Sequence, residues 1–314
     1  MALTFNHQTN DISNATGTVT FNGVAVGGDN TPVWYGSRGV FGGGSSTTDT
    51  IDYVTIASTG NATDFGNLTV ARSYLTATSN GTRGIFGGGT PSGGGSSNEI
   101  DYITIASTGN ATDFGNLSVS RVYLAAVSNS IYGVFGGGFT GAYQNVLDYV
   151  TIATAGNASD FGDLTVGRES LAGASGGTYG LFAGGRASGG SAQDVIDYIT
   201  VATPGNATDF GNLLATQFQL TGTGIESRCL FAGGNNSNVI QYVAPSTPGN
   251  ATDFGDLTAS RSYLAATNNA SRAIFGGGSS QNTIDYVTID TTGNATDFGD
   301  LTVGRSGLGS TSGT

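Results

Sequence analysis

The chain has 314 residues and a formal net charge of −12, with 22 acidic residues, 10 Arg and no Lys. Without a basic cluster, this acidic balance argues against nucleic acid as a partner, because phosphate neutralisation needs clustered Lys or Arg. The single His (His7) and single Cys (Cys229) nearly exclude imidazole or thiolate metal sites and Ser/His or Cys/His catalytic groups, so no cofactor and no metal are expected.

Residues 1–30 contain no copy of the repeat found in the rest of the chain. Residues 3–5 and 18–21 predict two short strands around a polar loop at 10–14. The N-terminus lacks a basic stretch followed by an apolar stretch, so no signal peptide is expected. No apolar run reaches the roughly 18–20 residues of a membrane span. We predict a small β segment over residues 1–30, followed by a second domain over residues 31–314, with a connecting stretch at 29–37.

From Arg38 onward, three short motifs recur at fixed spacing. The Asp-Tyr position (first Asp52) precedes an Asp-Phe-Gly triplet (first Asp64) by 12 residues, and the Arg position (first Arg72) follows 8 residues later. The triplets begin at Asp64, Asp113, Asp160, Asp209, Asp253 and Asp297. Self-similarity at a period of about 20–50 residues is typical of a solenoid, a propeller or another repeat array.

Each repeat contains four short apolar or β-branched runs separated by Gly-rich turns, and no run has the periodicity of a helix. Four strands in a unit of roughly 40–50 residues are typical of a propeller blade. The first unit begins at its second strand, and residues 305–310 match a first strand, so the C-terminal strand should complete the first blade. The sequence therefore predicts an all-β fold over residues 31–314: a six-bladed β-propeller with four antiparallel strands per blade.

Comparison of the copies predicts an ion pair inside each unit. The Arg that opens a unit is matched by the Asp of the next Asp-Tyr downstream, and in the fifth unit both are Gln (Gln217 and Gln241). Pairing each Arg with the upstream Asp would leave Asp197 and Arg261 without charged partners. Because breaking one side of a buried pair is costly, joint replacement indicates contact. The predicted structural pairs are Arg72–Asp101, Arg121–Asp148, Arg168–Asp197, Arg261–Asp285 and, through ring closure, Arg305–Asp52.

The loop between the second and third strands varies in length. The interval from the Phe-Gly-Gly position (first Phe41) to the Asp-Tyr position (first Asp52) ranges from 10 to 15 residues. Variable loops on a constant scaffold are where binding residues usually lie. Phe139, Tyr143 and Arg186 lie in the longest of these loops, and aromatic and Arg side chains are frequent anchors of binding surfaces. We predict that these three residues bind a ligand; the alternative is that they only pack their own loops.

The Asp-Phe-Gly triplet also occurs in protein kinases, but six copies without any Lys or catalytic loop exclude that function. Residues 59–66 instead predict a tight turn, because Gly supplies a positive φ and Asn and Asp bond their own backbone. The side-chain oxygens of Asn61, Asp64 and Asn67 leave Ca²⁺ binding open as an alternative. No catalytic residue is predicted, since the repeated Asp residues are assigned to turns and pairs.

The order of these motifs resembles the kelch repeat, in which a di-Gly closes the second strand, a Tyr lies in the third, an aromatic residue near the fourth, and an Arg follows. In the second unit these residues are Gly87-Gly88, Tyr102, Phe114 and Arg121. The resemblance covers residues 38–314 and implies a kelch-like propeller. Near-identical repeats without Lys, behind a short polar β segment, also resemble bacteriophage virion proteins, particularly fibre or appendage subunits.

The second resemblance implies a non-enzymatic structural and binding protein of a virus particle, such as a tail fibre or head fibre, assembled in the host cytoplasm. Residues 1–30 would attach it to other virion proteins, and the propeller would contact a virion protein or a host-surface carbohydrate or protein; homo-oligomers are compatible with this. One alternative is a carbohydrate-active enzyme, which needs paired carboxylates and is disfavoured by only three Glu. Another is a cytosolic kelch-type interaction module.

Overall fold

The computed structural model describes residues 36–45 and 48–313, together with the backbone of short strands nearer the N-terminus. The chain divides into two compact units, residues 1–33 and residues 34–314. Residues 3, 18, 19 and 29–35, which the sequence assigns to N-terminal strands and to the connection, lie outside the described residues.

In the first unit, β1 (Thr4–Asn6) pairs antiparallel with β2 (Asp11–Ser13), and β3 (Thr20–Phe21) pairs with β4 (Val24–Ala25). The predicted loop at 10–14 is therefore wrong over residues 11–13, which form a strand. The physical reason is that segments adjacent in sequence pair more readily than distant ones.

The second unit is the six-bladed β-propeller that the repeat predicts, with four antiparallel strands in each blade of the described region. Blade 1 contains β5 (Arg38–Gly42), β6 (Thr50–Thr55), β7 (Thr63–Asn67) and the C-terminal β32 (Gly309–Gly313). Blade 2 contains β9 (Thr76–Ser79), β10 (Arg83–Gly87), β12 (Glu99–Thr104) and β13 (Thr112–Asn116). Blade 3 contains β14 (Ala125–Ser128), β15 (Tyr132–Gly136), β16 (Val146–Thr151) and β17 (Ser159–Asp163).

The remaining blades repeat this order. Blade 4 contains β19 (Ala172–Gly176), β20 (Tyr179–Ala183), β22 (Gln193–Thr200) and β23 (Thr208–Gln217). Blade 5 contains β24 (Thr221–Ile225), β25 (Arg228–Ala232), β26 (Val239–Val243) and β27 (Thr252–Asp256). Blade 6 contains β28 (Ala265–Asn268), β29 (Arg272–Gly276), β30 (Thr283–Thr288) and β31 (Thr296–Asp300).

Two-residue ladders extend two blades beyond their four strands. They pair β8 (Arg72–Ser73) with β11 (Thr90–Pro91), and β18 (Arg168–Glu169) with β21 (Arg186–Ala187). A single 3₁₀ turn spans Ser188–Gly190. Among the described residues, no helix combines the length and hydrophobicity that a membrane span requires.

The C-terminal strand closes the ring, as the sequence predicts. β32 pairs antiparallel with β5, with Ser310 opposite Phe41, and it is the innermost strand of blade 1. Closure therefore removes the open edge that the second strand of the first repeat would otherwise present.

The hydrophobic core lies between adjacent blades. Val40 and Phe65 of blade 1, for example, pack in one buried cluster with Phe86 and Ile103 of blade 2. Gly42 makes this close approach possible, because a Cβ at that position would lie 2.7 Å from the Phe86 ring. The Phe-Gly marker is therefore a packing device that joins consecutive blades.

The outer strand of each blade is covered by the loop between strands 3 and 4 of the next blade. In blade 1, the Asn67 N–H donates to Asn110 Oδ1 at 3.1 Å, and Phe65 O accepts from the Gly109 N–H at 2.8 Å. Equivalent Asn side chains act in every blade; they are Asn61, Asn110, Asn157, Asn206, Asn250 and Asn294. The prediction that these Asn residues bond their own backbone is wrong: they protect the neighbouring sheet edge.

Candidate binding face around the axial mouth

The structure brings together each Arg and Asp that the sequence pairs. In blade 3, Arg121 Nη2 donates to Asp148 Oδ2 at 2.6 Å, and both side chains are 0% exposed. The other pairs with side chains no more than 1% exposed are Arg72–Asp101, Arg168–Asp197, Arg261–Asp285 and Arg305–Asp52. Burial lowers the pKa of the Arg121 guanidinium from its ordinary value, and the Asp148 carboxylate opposes this shift. Such buried pairs are parts of the scaffold and are not open to a substrate.

A β-bulge in the third strand turns the paired Asp inward. In blade 3 the register shifts between Leu147 and Asp148, and both residues are fully buried despite being adjacent in a strand. The bulge is required because adjacent side chains of a regular strand point to opposite faces. The Asp then also accepts a hydrogen bond from the Ser118 hydroxyl at 2.6 Å.

The hydroxyl therefore completes a buried triad of Arg, Asp and Ser or Thr. Only the Arg and Asp of this triad were predicted from the sequence. The donors in the five charged units are Thr69, Ser118, Thr165, Thr258 and Thr302. In the fifth unit Leu214 takes the hydroxyl position, so three residues change together. There the Gln241 amide donates to Gln217 Oε1 at 2.6 Å, and Gln241 Oε1 accepts from the Leu214 N–H at 2.7 Å.

The variable loops and the segments that enter the first strands lie on one face of the propeller, which we call the mouth face. They are joined by backbone hydrogen bonds such as those from the Gly89 N–H to Arg121 O and from the Arg121 N–H to Ser97 O. The loop between strands 2 and 3 and the segment preceding strand 1 are therefore held side by side in consecutive repeats.

A closed ring of backbone hydrogen bonds surrounds the axis on the mouth face. Its members, two positions after each Arg position, all have φ between 54° and 65°. The Tyr123 N–H donates to Tyr74 O at 3.0 Å, and the Tyr74 N–H closes the ring by donating to Gly307 O at 2.6 Å. This axial ring consists of Tyr74, Tyr123, Ser170, Gln219, Tyr263 and Gly307. Positive φ at non-Gly residues stores strain, which is frequent at functional sites.

Three ring members form a tyrosine cluster over the axis. The ring centroids of Tyr74 and Tyr123 lie 4.5 Å apart, and Tyr263 lies 5.1 Å from Tyr74 and 5.8 Å from Tyr123. Gly307 leaves the space for this cluster, since a Cβ there would lie 2.6 Å from the Tyr74 ring. Burial raises the pKa of the Tyr123 and Tyr263 hydroxyls, and at Tyr263 hydrogen bonds with Ser170 and Gln219 oppose the rise.

Below the tyrosine cluster, a channel of about 110 Å³ runs between the innermost strands of the blades. Small residues line it, such as Ala125, Ala172 and Gly222. A cavity of this size holds a few water molecules. A larger ligand therefore meets the protein at the mouth, where the side chains are half-buried.

Outside the axial ring lie six pairs of residues that we call the rim pairs. One member follows each Arg position, and the other follows the Gly pair of the second strand. They are Ser73–Thr90, Val122–Phe139, Glu169–Arg186, Phe218–Asn235, Ser262–Ser279 and Ser306–Ser45, each joined through the backbone. Five are matched in character, as two polar, two apolar or two opposite charges.

The charged rim pair differs from the buried ion pairs. Glu169 Oε1 lies 3.9 Å from Arg186 Nη1, with side-chain exposures of 11% and 33%. The Arg186 guanidinium lies over the Phe218 ring, with Cζ 3.9 Å from the centroid, and its buried Nε makes no hydrogen bond to described atoms. Burial raises the pKa of the Glu169 carboxyl, and Arg186 opposes this rise. Unlike the buried ion pairs, this pair is therefore partly exposed on the mouth face, mainly through the Arg186 side chain.

The three residues predicted to bind a ligand all lie on the mouth face, in two neighbouring blades. Phe139 and Tyr143 pack edge to face with centroids 5.4 Å apart, and Phe139 belongs to a rim pair. Arg186 belongs to the next rim pair. The rings of Phe139 and Tyr143 thus support their own loop, as the alternative supposes, and their role in ligand binding stays a prediction.

The other nine Arg residues have roles within the scaffold. Five form the buried pairs, and the remaining four lie over third-strand Tyr rings and donate to carbonyl oxygens of the next blade. Arg83, for instance, has Cζ 4.2 Å from the Tyr102 centroid and donates to Ala153 O at 2.9 Å. The others are Arg38, Arg228 and Arg272. Arg186 therefore differs from the other nine Arg residues in its location on the rim and in its contacts with Glu169 and Phe218.

The axial ring and the rim residue Glu169 were missed from the sequence. The sequence does carry a signal for them. Glu169 lies one position after an Arg position, the axial ring residues lie two positions after it, and at both positions the residue type differs among otherwise similar repeats. Across the described residues, no group of three or more His, Cys, Asp or Glu side chains is arranged to hold a metal ion. The predicted turn over residues 59–66 is wrong for residues 63–66, because the Asp-Phe-Gly triplet lies in β7. In the loop that precedes it, Asn61 Oδ1 accepts a hydrogen bond from the Asp300 N–H.

Comparison with known proteins adds no relative. No protein-family profile matches the chain, and the search of curated proteins finds no significant match. The propeller architecture therefore rests on the strands and their pairing, and the resemblances to kelch repeats and to virion proteins carry over only as proposals.

Proposed function

We propose that this protein is a non-enzymatic structural and binding component of a virus particle, a fibre or another appendage, that acts through the mouth face of a kelch-like propeller. The observation that carries the binding role is the location of the differences between repeats. Residues of the buried triads, the edge-covering loops and the blade core recur around the ring. The side chains of the axial ring, the rim pairs and the variable loops differ between repeats, although they all lie on the mouth face.

The surface chemistry supports contact through a face. The outermost strands carry the exposed Asp64 and its equivalents, so the circumference is acidic and repels a similar neighbour. Among the described residues, four of the five exposed large apolar side chains lie in the segments that enter the first strands on the mouth face: Val119, Val166, Leu214 and Val303. The fifth, Ile131, lies in the turn between strands 1 and 2 of blade 3.

The buried triads argue against the alternative of a carbohydrate-active enzyme. Glycoside hydrolysis needs two accessible carboxylates on either side of the scissile bond. The repeated Asp of the third strands is buried against Arg, and that of the fourth strands lies on the outer circumference. Among the described residues, Glu169 is the acidic residue next to the axial ring, and a single carboxylate does not supply both roles.

Fractionation of particles tests the location. The protein should copurify with intact virions, and deletion of residues 1–30 should leave a folded propeller that no longer enters particles. Its absence from purified virions would instead favour the cytosolic kelch-type module. Incubation of the protein with host-surface glycans should give binding without release of sugar; a released product would establish the enzyme.

A further inference from the structure

We propose that the axial mouth contains a subsite for one neutral pyranose ring, packed on the tyrosine cluster and held by Glu169, Arg186 and Gln219. The inference rests on the proposed binding function and specifies its ligand class and contacts. It is carried by polar side chains that the scaffold does not require and that border the half-buried tyrosine cluster, where Gln219 already bonds the Tyr263 hydroxyl.

The first step is the departure from the repeat. The positions of Glu169 and Gln219 hold Ser, Val, Tyr, Gly or other residues in the remaining blades. The backbone hydrogen bonds of the axial ring form with every one of these side chains. The fold therefore does not demand a carboxylate or an amide here, whereas it demands the Arg and Asp of the buried triads.

The second step is the balance of donors and acceptors. Arg186 supplies donors only, a Glu169 carboxylate accepts, and Gln219 does both. The Glu169–Arg186 contact is long, at 3.9 Å, and the polar groups border a half-buried aromatic surface. A sugar hydroxyl both donates and accepts, so several hydroxyls of one ring match this set. An anionic ligand would meet Glu169 in an acidic protein, and a cationic ligand would meet Arg186, so the ligand is neutral.

The third step is shape. Three aromatic rings lie within 6 Å of one another and are tilted by 34–60°, so a pyranose would pack its C–H face on one ring, with the other two beside it. An extended peptide strand would need an open sheet edge. In the described blades, the next blade's Asn loop covers the outer edge, so strand addition does not compete.

The experiment titrates the full-length protein with methyl glycosides of glucose, galactose, mannose, rhamnose and N-acetylglucosamine at millimolar concentration, followed by saturation-transfer NMR. At least one glycoside should bind. The double variant Glu169→Ser/Arg186→Thr copies the Ser73–Thr90 rim pair of blade 2, so it should fold with an unchanged melting temperature but bind at least tenfold more weakly. The matched control Ser45→Thr, which gives the Ser306–Ser45 rim pair the composition of Ser73–Thr90, should retain binding.

Each contrary result has a defined meaning. Failure of all the glycosides to bind, full binding by the Glu169→Ser/Arg186→Thr variant, or tighter binding of a sialic acid glycoside would overturn the pyranose subsite. An equal loss in the Ser45→Thr control would also overturn it, because binding would then belong to the whole rim. The proposed function is judged separately, by the presence of the protein in virions.

Discussion

Gln241 donates its side-chain amide to Gln217 Oε1 at 2.6 Å, in the place where the other blades bury an Arg–Asp ion pair. Both Gln side chains are almost fully buried. One blade has therefore lost two opposite charges and a hydroxyl together while keeping the same strands and the same bulge. The propeller contains its own natural triple replacement, which allows the buried triad to be tested by exchange between blades.

Breaking one side of a triad should be far more costly than replacing it as a unit. Arg121→Ala or Asp148→Ala should each lower the free energy of unfolding by about 3–5 kcal/mol, because the remaining charge is buried without its partner. Ser118→Leu/Arg121→Gln/Asp148→Gln, which copies blade 5, should lose much less. Urea unfolding of the set measures this. If the loss of unfolding free energy in the combined variant equalled the sum of the losses in the single variants, the residues would not act together.

The reverse exchange in blade 5 should show the same coupling. Gln217→Arg alone should destabilise the protein, since it places a cation opposite a neutral amide. Adding Gln241→Asp and Leu214→Thr should recover most of the loss by completing a sixth triad. The melting temperatures of the single, double and triple variants test this order. A triple variant no better than Gln217→Arg would contradict the assignment.

The Asn of each loop between strands 3 and 4 should protect the neighbouring blade. Asn110→Ala removes the acceptor for the Asn67 N–H and should cost about 0.5–1.5 kcal/mol, as for a single hydrogen bond. It should also raise the tendency to aggregate, because it uncovers part of a strand edge. Asn110→Asp keeps an acceptor oxygen and should lose less. Thr108→Ala, an exposed change in the same loop, is the control for both unfolding and light scattering.

The Arg residues at the start of second strands should tolerate Tyr but not a small side chain. Blades 3 and 4 carry Tyr132 and Tyr179 at this position, each packed edge to face on a third-strand Tyr. Arg83→Tyr should therefore stay within about 1 kcal/mol of wild type. Arg83→Ala should lose roughly 2–3 kcal/mol, the sum of cation–π and charged hydrogen-bond contributions. Equal losses for Tyr and Ala would refute the stacking role.

The tyrosine cluster should make the protein sensitive to alkaline pH. Burial raises the pKa of Tyr123 and Tyr263 in the folded protein, so the unfolded chain loses these protons first, near pH 10. The free energy of unfolding should consequently fall as the pH rises above about 10. Tyrosinate absorbance should show late-ionising tyrosines that appear only on unfolding, one fewer in Tyr123→Phe. Simultaneous ionisation of all tyrosines in the folded protein would contradict the buried cluster.

The scaffold was predictable because the repeat supplies internal comparisons. Six copies show which positions are constant, and the joint loss of Arg and Asp in the fifth copy is visible at Gln217 and Gln241 without any relative. The Ser118 hydroxyl and the covering role of Asn110 were not recognised, because their partners lie in other strands and blades. The same limit applies to Glu169 and Arg186, which are 17 residues apart in the chain and adjacent in a ladder.

By itself, the sequence determined the class of fold, the number of blades, ring closure by the last strand and the residues of the buried ion pairs. These follow from spacing, since strand length and turn chemistry are local properties and repeated contacts leave repeated residues. Only the tertiary structure decided which unlike residues meet at the axis. Tyr74, Tyr123 and Tyr263 come from three blades, and closing the ring brings them into contact around a single axis.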